Sequence, residues 1–471
     1  MSNNAKGRTY SPKLLFDKEY NKRSMLFLIS VFLLFLFLKF SLLYFYFFLL
    51  GDVVNPISYI EQFWAMGHFL WAAGIPSCLL GLIGILTYRK KSLTNVSSVK
   101  NKVCFRIVSY GKNVTALRST IDSIIEKMER YPAFPYIVEV FAEEGQPFFD
   151  ELHPYMSSQV KIYAVPKSYE TPNKTMKKAR ALHYALSKSK MPNDAWIVHL
   201  DEESRPSKSM ILGIAKAIKE EENSKQYRIG QGVIVYYRHW IEKRFWWWTL
   251  LDSGRTGQDI GPFYFQSKFG TSLYGFHGSW ILIRNSVAKS IPGGFDLGPR
   301  GSITEDAWWC LIANATGYKL RWVEGYLEEQ SVRSFRDFCK QRGRWFYGLR
   351  LVGKHTPVSF WRKIPIRLNL ALWMLVWLSI PYSIAHVFFG FTAPNIMIFL
   401  ITTSLASYMS MIVSGTWINL NLAGYKNWFL YAGITCLQIL LIPVYVLMEI
   451  YAALVYGVCF PDRDDFHVIE K

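Results

Sequence analysis

Apolar residues are concentrated at the two ends of the chain. Residues 25–50 and 63–88 are apolar stretches longer than the roughly 20 residues that a membrane-spanning helix needs. Residues 368–391, 396–418 and 428–460 repeat this pattern near the carboxyl end. The sequence therefore predicts about five transmembrane helices, two before and three after a central region of mixed polarity.

These stretches divide the chain into four parts. We expect an amino-terminal tail with two spans, a soluble domain, a pair of amphipathic interface helices, and a last part with three spans and a tail. Their limits are 1–91, 92–330, 331–367 and 368–471.

The soluble part alternates strand and helix patterns. Short apolar runs at 104–109, 136–141, 160–165 and 196–200 predict strands, and the apolar spacing of 113–129 predicts an amphipathic helix. This order favours an α/β domain with a mostly parallel sheet covered on both faces, in which ligands collect at the carboxyl edge. Further helices are predicted at 210–221, 307–316 and 335–352, and further strands at 227–237 and 281–283.

The distribution of charge predicts the orientation in the membrane. The tail before residue 25 and the segment 89–102 are rich in Lys and Arg, whereas 51–62 contains neither. Because basic residues flank spans on the cytoplasmic side, we expect a multi-pass protein whose central domain is cytoplasmic, in the plasma membrane of a prokaryote or the ER or Golgi of a eukaryote.

Net charge and cysteine content exclude two classes of function. The net charge of +19 is explained by basic residues beside membrane spans and anionic lipid, so no nucleic-acid partner is expected. The six cysteines have no pair spacing, which argues against a zinc site or a disulfide framework.

The strongest candidate chemistry follows the strand at 196–200. Asp201, Glu202 and Glu203 come directly after it, and in an extended chain the first and third would point the same way. Two such carboxylates suit Mg²⁺ or Mn²⁺ held together with substrate phosphates. The alternative is a solvated turn after the strand.

Two helix starts carry candidate residues. Lys178 and Arg180 lie in the first turn of a predicted helix, where cations oppose the helix dipole, so either an anion such as phosphate binds there or the face is exposed. Asp306 follows Glu305 and the cap candidate Thr304 at the start of another helix, where it is suited to act as a general base or only as a capping acid.

Aromatic and basic residues mark three further segments. The tryptophans of 239–248 fit a membrane interface better than a sugar-stacking platform. In 276–280, Gly278 would let backbone approach a ligand, and His277 alone is more often structural. The basic amphipathic helix 335–352 is suited to lying on a membrane.

Together these segments resemble the membrane-embedded family 2 glycosyltransferases, which include cellulose and hyaluronan synthases. The resemblance rests on six motifs in the family's order, over residues 106 to 351. They are the acid Glu143, the Lys-Ala-Arg-Ala-Leu run at 178–182, Asp-Glu-Glu at 201–203, Phe-x-Gly-Ser at 276–279, Thr-Glu-Asp at 304–306 and Gln-x-x-Arg-Trp at 341–345.

Within that family the sequence motifs are most similar to those of the Egghead-type β-1,4-mannosyltransferases. The similarity lies in Trp-Ile-Val-His-Leu-Asp-Glu-Glu at 196–203, Val-Pro-Lys-x-Tyr at 165–169 and Gly-Gln-Gly at 230–232. The resemblance implies a GT-A fold, GDP-mannose as the favoured donor with a UDP-sugar as the other option, and a lipid-linked or glycan acceptor.

The resemblance also implies a role for each candidate residue in an inverting transfer. Asp306, with Glu305, is the catalytic base, and Asp201 with Glu203 binds the metal. The donor would contact Ser109, Glu143, Lys178, Arg180, Asp201, Gln341, Arg344 and Trp345, and the acceptor would contact His277, Gly278, Ser279 and Trp345.

Two other functions remain open at this point. A processive polysaccharide synthase would use the same residues and extrude a polymer through its transmembrane helices. The motif Gln-Arg-Gly-Arg-Trp resembles the form that polymer synthases have. A transporter or scaffold with a degenerate domain would transfer no sugar.

Overall fold

The computed structural model describes residues 75–242, 246–375 and 395–459, and within them a mixed sheet of eight strands forms the centre of the soluble part. The strands are β1 Val103–Ser109, β2 Tyr136–Glu143, β3 Val160–Val165, β4 Trp196–Leu200, β5 Arg205–Pro206, β6 Ile229–Val235, β7 Ile281–Arg284 and β8 Leu320–Glu328. Their order across the sheet is β3-β2-β1-β4-β7-β6-β8-β5.

The expectation of a mostly parallel sheet holds for one half of it. Strands β3, β2, β1 and β4 are mutually parallel, as predicted. Strand β7 runs antiparallel to both β4 and β6, while β8 is parallel to β6 and antiparallel to β5. The protein is therefore a mixed α/β fold, and the reversal beside β4 brings the loop that precedes β7 to the carboxyl edge of β4.

Helices cover both faces of the sheet and continue beyond it. Around the sheet lie Val114–Arg130, Phe148–Leu152, Lys177–Lys188, Lys208–Ser224, Tyr237–Glu242, Trp246–Gln258, Tyr264–Phe269, Asn285–Ser290, Gly298–Gly301 and Glu305–Ala315. Two short helices are the 3₁₀-helix His153–Tyr155 and the π-helix Asp259–Phe263. The other helices are Ile75–Thr87, Phe335–His355, Phe360–Leu375, Asn395–Leu422 and Trp428–Tyr451, the last continuing as the π-helix Ala452–Cys459.

The alternation of β1 explains why both faces need cover. Phe105 and Ile107 enter the core on one face with Leu117, whereas Cys104 and Val108 enter the core on the other face. Every residue of β1 is buried. A strand buried on both sides reads as a continuous apolar run, which is why the sequence identified it.

Strand β8 was not predicted, because charged residues occupy its buried positions. The Arg321 guanidinium lies 2.5 Å from Glu221 and 2.6 Å from Glu220, both on the helix Lys208–Ser224. These ion pairs compensate the charge of Arg321 in the interior, whereas the sequence pattern predicts that such a residue is exposed to solvent.

One helix of the described residues, Trp428–Cys459, is long and apolar enough to cross a membrane. The stretch 25–50 and most of 368–391 lie outside the described residues. The helix Ile75–Thr87 is the described part of the second predicted span, and Asn395–Leu422 contains the fourth. Five spans thus remain a prediction.

The basic amphipathic helix packs on the protein's own last helix. A methyl group added at Gly343 of Phe335–His355 would lie 2.3 Å from Tyr456 and 3.0 Å from the Ala452 carbonyl oxygen. Trp248 stacks on the buried Phe338, with ring centres 5.6 Å apart. Much of the aromatic surface that suggested a membrane interface is therefore covered by protein.

Candidate active site

Lys178 joins three segments at the carboxyl edge of β4. The helix Lys177–Lys188 places its ammonium group in a hydrogen bond to Asp201 and in another, of 2.9 Å, to the Gly278 carbonyl oxygen. The same ammonium lies 3.2 Å from the carboxylate of Glu305. Burial opposes the charge of Lys178, but Asp201 and Glu305 overcome this and raise its pKa, so Lys178 is a fixed cation.

The acidic stretch forms a tight turn, and the expected alternation is wrong for it. The Ser204 N–H donates to the Asp201 carbonyl oxygen at 3.2 Å, which closes the turn directly after β4. In an extended chain Glu202 would point to the side opposite Asp201 and Glu203, but here it accepts a hydrogen bond from the Ser109 hydroxyl at the end of β1. The period of two applies to extended strand, and the chain leaves that conformation at Leu200.

Asp306 lies in the first turn of the helix Glu305–Ala315. Its Oδ1 accepts the Ala307 N–H at 2.8 Å. Burial and the neighbouring Glu305 raise the pKa of Asp306 to about 7, although Lys178 and the Ala307 N–H act in the opposite direction. A carboxylate whose pKa is near neutrality is suited to taking up a proton during a reaction.

Thr304 occupies the expected cap position but does not act through its side chain. Its hydroxyl makes no capping hydrogen bond and, among the described residues, has no partner. A methyl group added at Gly348 would lie 2.4 Å from the Thr304 methyl, so this side chain is packed against the helix Phe335–His355.

Gly278 is surrounded by the candidate catalytic groups. A methyl group added there would lie 2.9 Å from the Lys178 nitrogen, 3.4 Å from Asp306 Oδ2 and 3.6 Å from Asp201 Oδ2. The segment before β7 thus brings backbone between the turn after β4 and the helix start at Glu305. Any larger residue would displace the cation or a carboxylate.

His277 and Ser279, on either side of Gly278, are held by acids from other segments. The His277 ring bonds to the buried Asp259 and lies on Phe263, with ring centres 4.2 Å apart. The Ser279 hydroxyl donates to Glu329, just after β8. Both partners hold the segment in place.

Arg180 is committed to protein groups. It donates to Glu143 at the end of β2, to the Pro166 carbonyl oxygen at 3.0 Å and to the Tyr169 carbonyl oxygen at 2.8 Å. Burial raises the pKa of Glu143, and the Arg180 guanidinium limits that rise. The two arrangements considered from the sequence were phosphate binding and an exposed basic face. The structure shows a third, in which Arg180 forms an ion pair with Glu143 on β2, the neighbour of β1.

Two guanidinium groups lie over the ring of Trp345. Arg255 and Arg342 are 4.4 Å and 4.3 Å from its ring centre. Arg342 is buried and pairs with Asp252 at 2.7 Å and Glu449 at 2.9 Å. These contacts orient the indole.

The other two residues of the Gln-x-x-Arg-Trp motif differ in environment. Gln341 is buried and accepts a hydrogen bond from Arg342 at 2.8 Å, whereas Arg344 is partly exposed. Gln341 therefore supports the Arg342 arrangement.

The sequence reasoning missed the acids and guanidinium groups that support the site. Glu449 stands alone among apolar and aromatic residues, and that isolation is the signal that could have identified it, since a buried charge needs a partner. Asp252 begins the polar stretch 252–259 and gives no such signal. Asp259, Arg255 and Glu329 carry no motif. They are recognised only from contacts in the fold, where Asp259 bonds to His277, Arg255 lies over Tyr236 and Glu329 accepts a hydrogen bond from Ser279.

The turn after β4 offers oxygen ligands for a divalent cation. Asp201 Oδ1 is engaged by Lys178, while Oδ2 faces Gly278, and Glu203 is partly exposed on the same turn. Within the described ranges no group of three or more His, Cys, Asp or Glu could hold a metal by itself. The donor set fits Mg²⁺ or Mn²⁺ that completes its coordination with substrate phosphates and water.

Comparison with known proteins identifies the family. The profile of glycosyl transferase family group 2 matches residues 196–460. The β-1,4-mannosyltransferase bre-3 of Caenorhabditis briggsae is 30% identical over 410 residues, which cover 84% of this chain and 85% of the relative. The β-1,4-mannosyltransferase egh of Drosophila melanogaster is 26% identical over 430 residues, covering 89% of each.

A solved structure also matches much of the chain. It is the mannosyltransferase PcManGT from Pyrobaculum calidifontis in complex with GDP-Man and Mn²⁺, with 15% identity and a TM-score of 0.48, over 84% of this chain and 99% of that one. The family profile spans more than half of the 471 residues, and the curated relatives span most of them. The chain belongs to glycosyl transferase family group 2 and is a hexosyltransferase.

Proposed function

We propose that this hexosyltransferase moves mannose from GDP-mannose to a lipid-linked or glycolipid acceptor, with inversion to a β linkage. The names of the relatives, β-1,4-mannosyltransferases at 30% and 26% identity, support the sugar and the linkage. In this proposal the mixed sheet is a GT-A-type domain at the cytoplasmic face of a membrane.

The observation that carries the proposal is the arrangement around Gly278. Lys178, Asp201 and Asp306 come from three segments, and each has a polar atom within 3.6 Å of a methyl group placed on this glycine. A cation, a carboxylate facing a donor phosphate and a carboxylate with a pKa near neutrality are the groups that sugar transfer from a diphosphate requires.

The donor end uses the turn after β4 and the end of β1. Asp201 and Glu203 would hold a divalent cation there, and the chemistry it would supply is Lewis acidity toward the charge that grows on the leaving diphosphate. Lys178 and Arg344 add positive charge to the same group. Ser109 and Glu143, at the ends of neighbouring parallel strands, contact the nucleoside.

The acceptor end uses Asp306 and the aromatic side of the site. Asp306 takes the proton of the acceptor hydroxyl while that oxygen bonds to the anomeric carbon, and the bond from this carbon to the diphosphate oxygen breaks. Burial raises the pKa of Asp306, and the neighbouring Glu305, whose carboxylate lies 3.2 Å from the Lys178 ammonium, raises it further. Trp345, which is partly exposed, supports the acceptor sugar with the part of its ring that the two guanidinium groups leave open.

The test combines a donor panel with one matched pair of variants. Purified full-length protein is incubated with UDP- and GDP-sugars and a glycolipid acceptor, and released nucleotide and product are measured. GDP-mannose should give β-linked product. Asp306→Asn should lower kcat by on the order of 100-fold or more with donor binding retained.

Asp194→Asn is the control, because Asp194 is exposed and lies just before β4, at the opposite edge of the sheet. It should leave transfer unchanged. Equal activity of Asp306→Asn and Asp194→Asn would remove Asp306 from the proposed role, and exclusive use of another donor would overturn the mannose assignment.

A further inference from the structure

Arg255 is a partly buried cation beside Trp345. Its guanidinium lies over two aromatic rings, 4.4 Å from the ring centre of Trp345 and 5.6 Å from that of Tyr236. Contacts of a guanidinium with aromatic faces are favourable, so the two rings hold this end of the side chain in place.

The hydrogen-bonding capacity of Arg255 is not used by the protein. A guanidinium carries several N–H donors in one rigid plane. In the part of the chain that the structure describes, none of them donates a hydrogen bond, and the ion pair with Asp252 is long at 3.8 Å. The side chain is 21% exposed, and none of its nitrogen atoms is both sealed from solvent and unpartnered. The N–H groups therefore face accessible space.

Arg342, over the same indole, shows the contrast. It donates to Asp252 at 2.7 Å, to Glu449 at 2.9 Å and to Gln341 at 2.8 Å, and its side chain is 2% exposed. The donors of Arg342 are thus taken up by buried protein groups, whereas Arg255 keeps its donors for a ligand.

The charges around Arg255 indicate which ligand suits it. Burial disfavours the charged guanidinium, but Tyr236, Asp252, Glu329 and Asp259 overcome this and raise its pKa. A phosphate brought here would be repelled by the three carboxylates among these groups. An uncharged hydroxyl is not repelled, since its oxygen accepts from an N–H and its own O–H donates to a carboxylate. The surroundings therefore favour the hydroxyl groups of a sugar.

Two of these acids also hold the segment beside the catalytic groups. Glu329 accepts a hydrogen bond from Ser279, and Asp259 bonds to His277. These two residues flank Gly278, around which the catalytic groups lie. The same acids therefore connect Arg255 to the centre of the transfer.

The helix that carries Arg255, Trp246–Gln258, packs on the membrane side of the protein. A methyl group added at Gly257 would lie 1.7 Å from the Met411 carbonyl oxygen, on the helix Asn395–Leu422 that contains the fourth predicted span. A lipid-borne acceptor reaches the site from this side, whereas a nucleotide sugar arrives from the aqueous side.

We propose that Arg255 binds the acceptor, donating hydrogen bonds to hydroxyl oxygens of a sugar that lies beside Trp345. It would thereby make the enzyme select an uncharged sugar, and not a lipid phosphate, as the group that receives mannose. This inference rests on the proposed function, because it takes a lipid-borne molecule as the acceptor.

Three acceptors with the same alkyl chain test the selection. Full-length protein in neutral detergent is given GDP-mannose with hexyl β-glucoside, hexyl β-mannoside or hexyl phosphate, and product is measured. One of the glycosides should be used at least tenfold more efficiently than hexyl phosphate.

Arg255→Lys tests the residue, because lysine keeps the charge beside Asp252 but lacks the planar set of donors. The KM for the glycoside should rise about tenfold, with the KM for GDP-mannose and Tm nearly unchanged. Arg130→Met is the control, since Arg130 is exposed at the end of the helix Val114–Arg130. It should leave both KM values unchanged.

Glycosides that lack one hydroxyl group locate the contact. Loss of the hydroxyl that Arg255 binds should raise KM for the unmodified protein and have no further effect in Arg255→Lys. A purely structural role of Arg255 would not make the two losses depend on each other.

Five results would overturn the inference. They are equal acceptor KM in Arg255→Lys and Arg130→Met, a rise in donor KM alone, a preference for hexyl phosphate, transfer to neither glycoside, and additive losses for every hydroxyl removed. Failure of the proposed function would look different, because the unmodified protein would then use another donor whichever residue stands at position 255.

Discussion

The ammonium group of Lys178 lies 3.2 Å from the carboxylate of Glu305 and bonds at the same time to Asp201. One cation therefore joins the turn after β4 to the start of the helix that carries Asp306. Its charge has two effects, since it offsets the repulsion among three acids and limits the rise in the pKa of Asp306.

Replacing Lys178 should change the pH dependence of transfer as well as its rate. In Lys178→Met, Asp306 loses a nearby positive charge, so its pKa rises further and the ascending limb of kcat/KM against pH moves to higher pH. We expect kcat/KM at neutral pH to fall on the order of 100-fold, as when a preorganised charge is removed. Lys178→Arg should recover part of this loss.

Lys188→Gln, on the exposed end of the same helix, is the control for this variant. Its pH profile should match that of the unmodified protein. A profile for Lys178→Met with a lower rate and an unshifted limb would contradict the coupling between Lys178 and Asp306.

The pH profile of the unmodified protein should reflect Asp306 itself. Only the ionised carboxylate accepts a proton, so kcat/KM should rise through a pH of about 7, the pKa of Asp306. For stability the sign is opposite. The folded state holds this proton more tightly than the unfolded state, so the group favours folding below its unfolded pKa of 3.8, and that contribution is lost as pH rises through about 7.

Asp306→Asn separates these two effects. Because asparagine does not ionise, the free energy of unfolding of this variant should fall less between pH 4 and pH 8 than that of the unmodified protein. Denaturant titration at both pH values measures this fall. An unchanged pH dependence of stability would show that Asp306 is ionised throughout this range.

Much of the site was predictable because its residues follow strands or begin helices. Asp201 and Glu143 end buried apolar runs, and Asp306 begins a helix whose apolar pattern is clear, so local signals were sufficient. Parallel pairing of β1 with β2 and β4 then places these ends at one edge. The rule that ligands bind at the carboxyl edge of such a sheet therefore predicts that these residues lie near one another, although they are far apart in sequence.

The parts that were missed depend on contacts between distant segments. The Glu202 carboxylate turns toward Ser109 because a turn replaces the strand, and no periodicity describes a turn. Arg342 was counted as part of a basic helix face, although its partners Asp252 and Glu449 lie about 90 and 107 residues away. Long-range charge pairing leaves no local pattern.

Removal of metal ligands should abolish transfer through donor binding. Asp201→Asn and Glu203→Gln keep the shape of each side chain and remove the charge that a hard cation requires. We expect the transfer rate of both variants to fall at least 100-fold, and the Mn²⁺ concentration that gives half the maximal rate to rise. EDTA should abolish transfer by the unmodified protein.

Glu222→Gln is a suitable comparison for these variants, because Glu222 contacts Asn101 and Trp196 at the other end of β4. It should keep the unmodified Mn²⁺ dependence. Transfer that is indifferent to EDTA would contradict the metal assignment while leaving the Asp306 role open to its own test.

The Arg342 cluster should support both stability and acceptor use. Removing the guanidinium in Arg342→Met takes the ion pair from Glu449 and leaves the buried Asp252 with Arg255 alone, at 3.8 Å. Truncation of one buried partner costs about 3–5 kcal/mol. It also frees one face of Trp345, which lies 4.3 Å from this guanidinium. We expect a large fall in Tm and a raised KM for acceptor, with the KM for donor nearly unchanged.

A double variant distinguishes the charge effect from the packing effect. Asp252→Asn/Arg342→Met should be less destabilised than the sum of the two single variants, because the unpaired carboxylate is gone. Trp345→Phe keeps the arginine pairs and should alter acceptor KM with little change in Tm. If Trp345→Phe instead affects donor KM alone, the indole belongs to the donor site, and the stacking of Arg255 and Arg342 on it positions the nucleotide sugar.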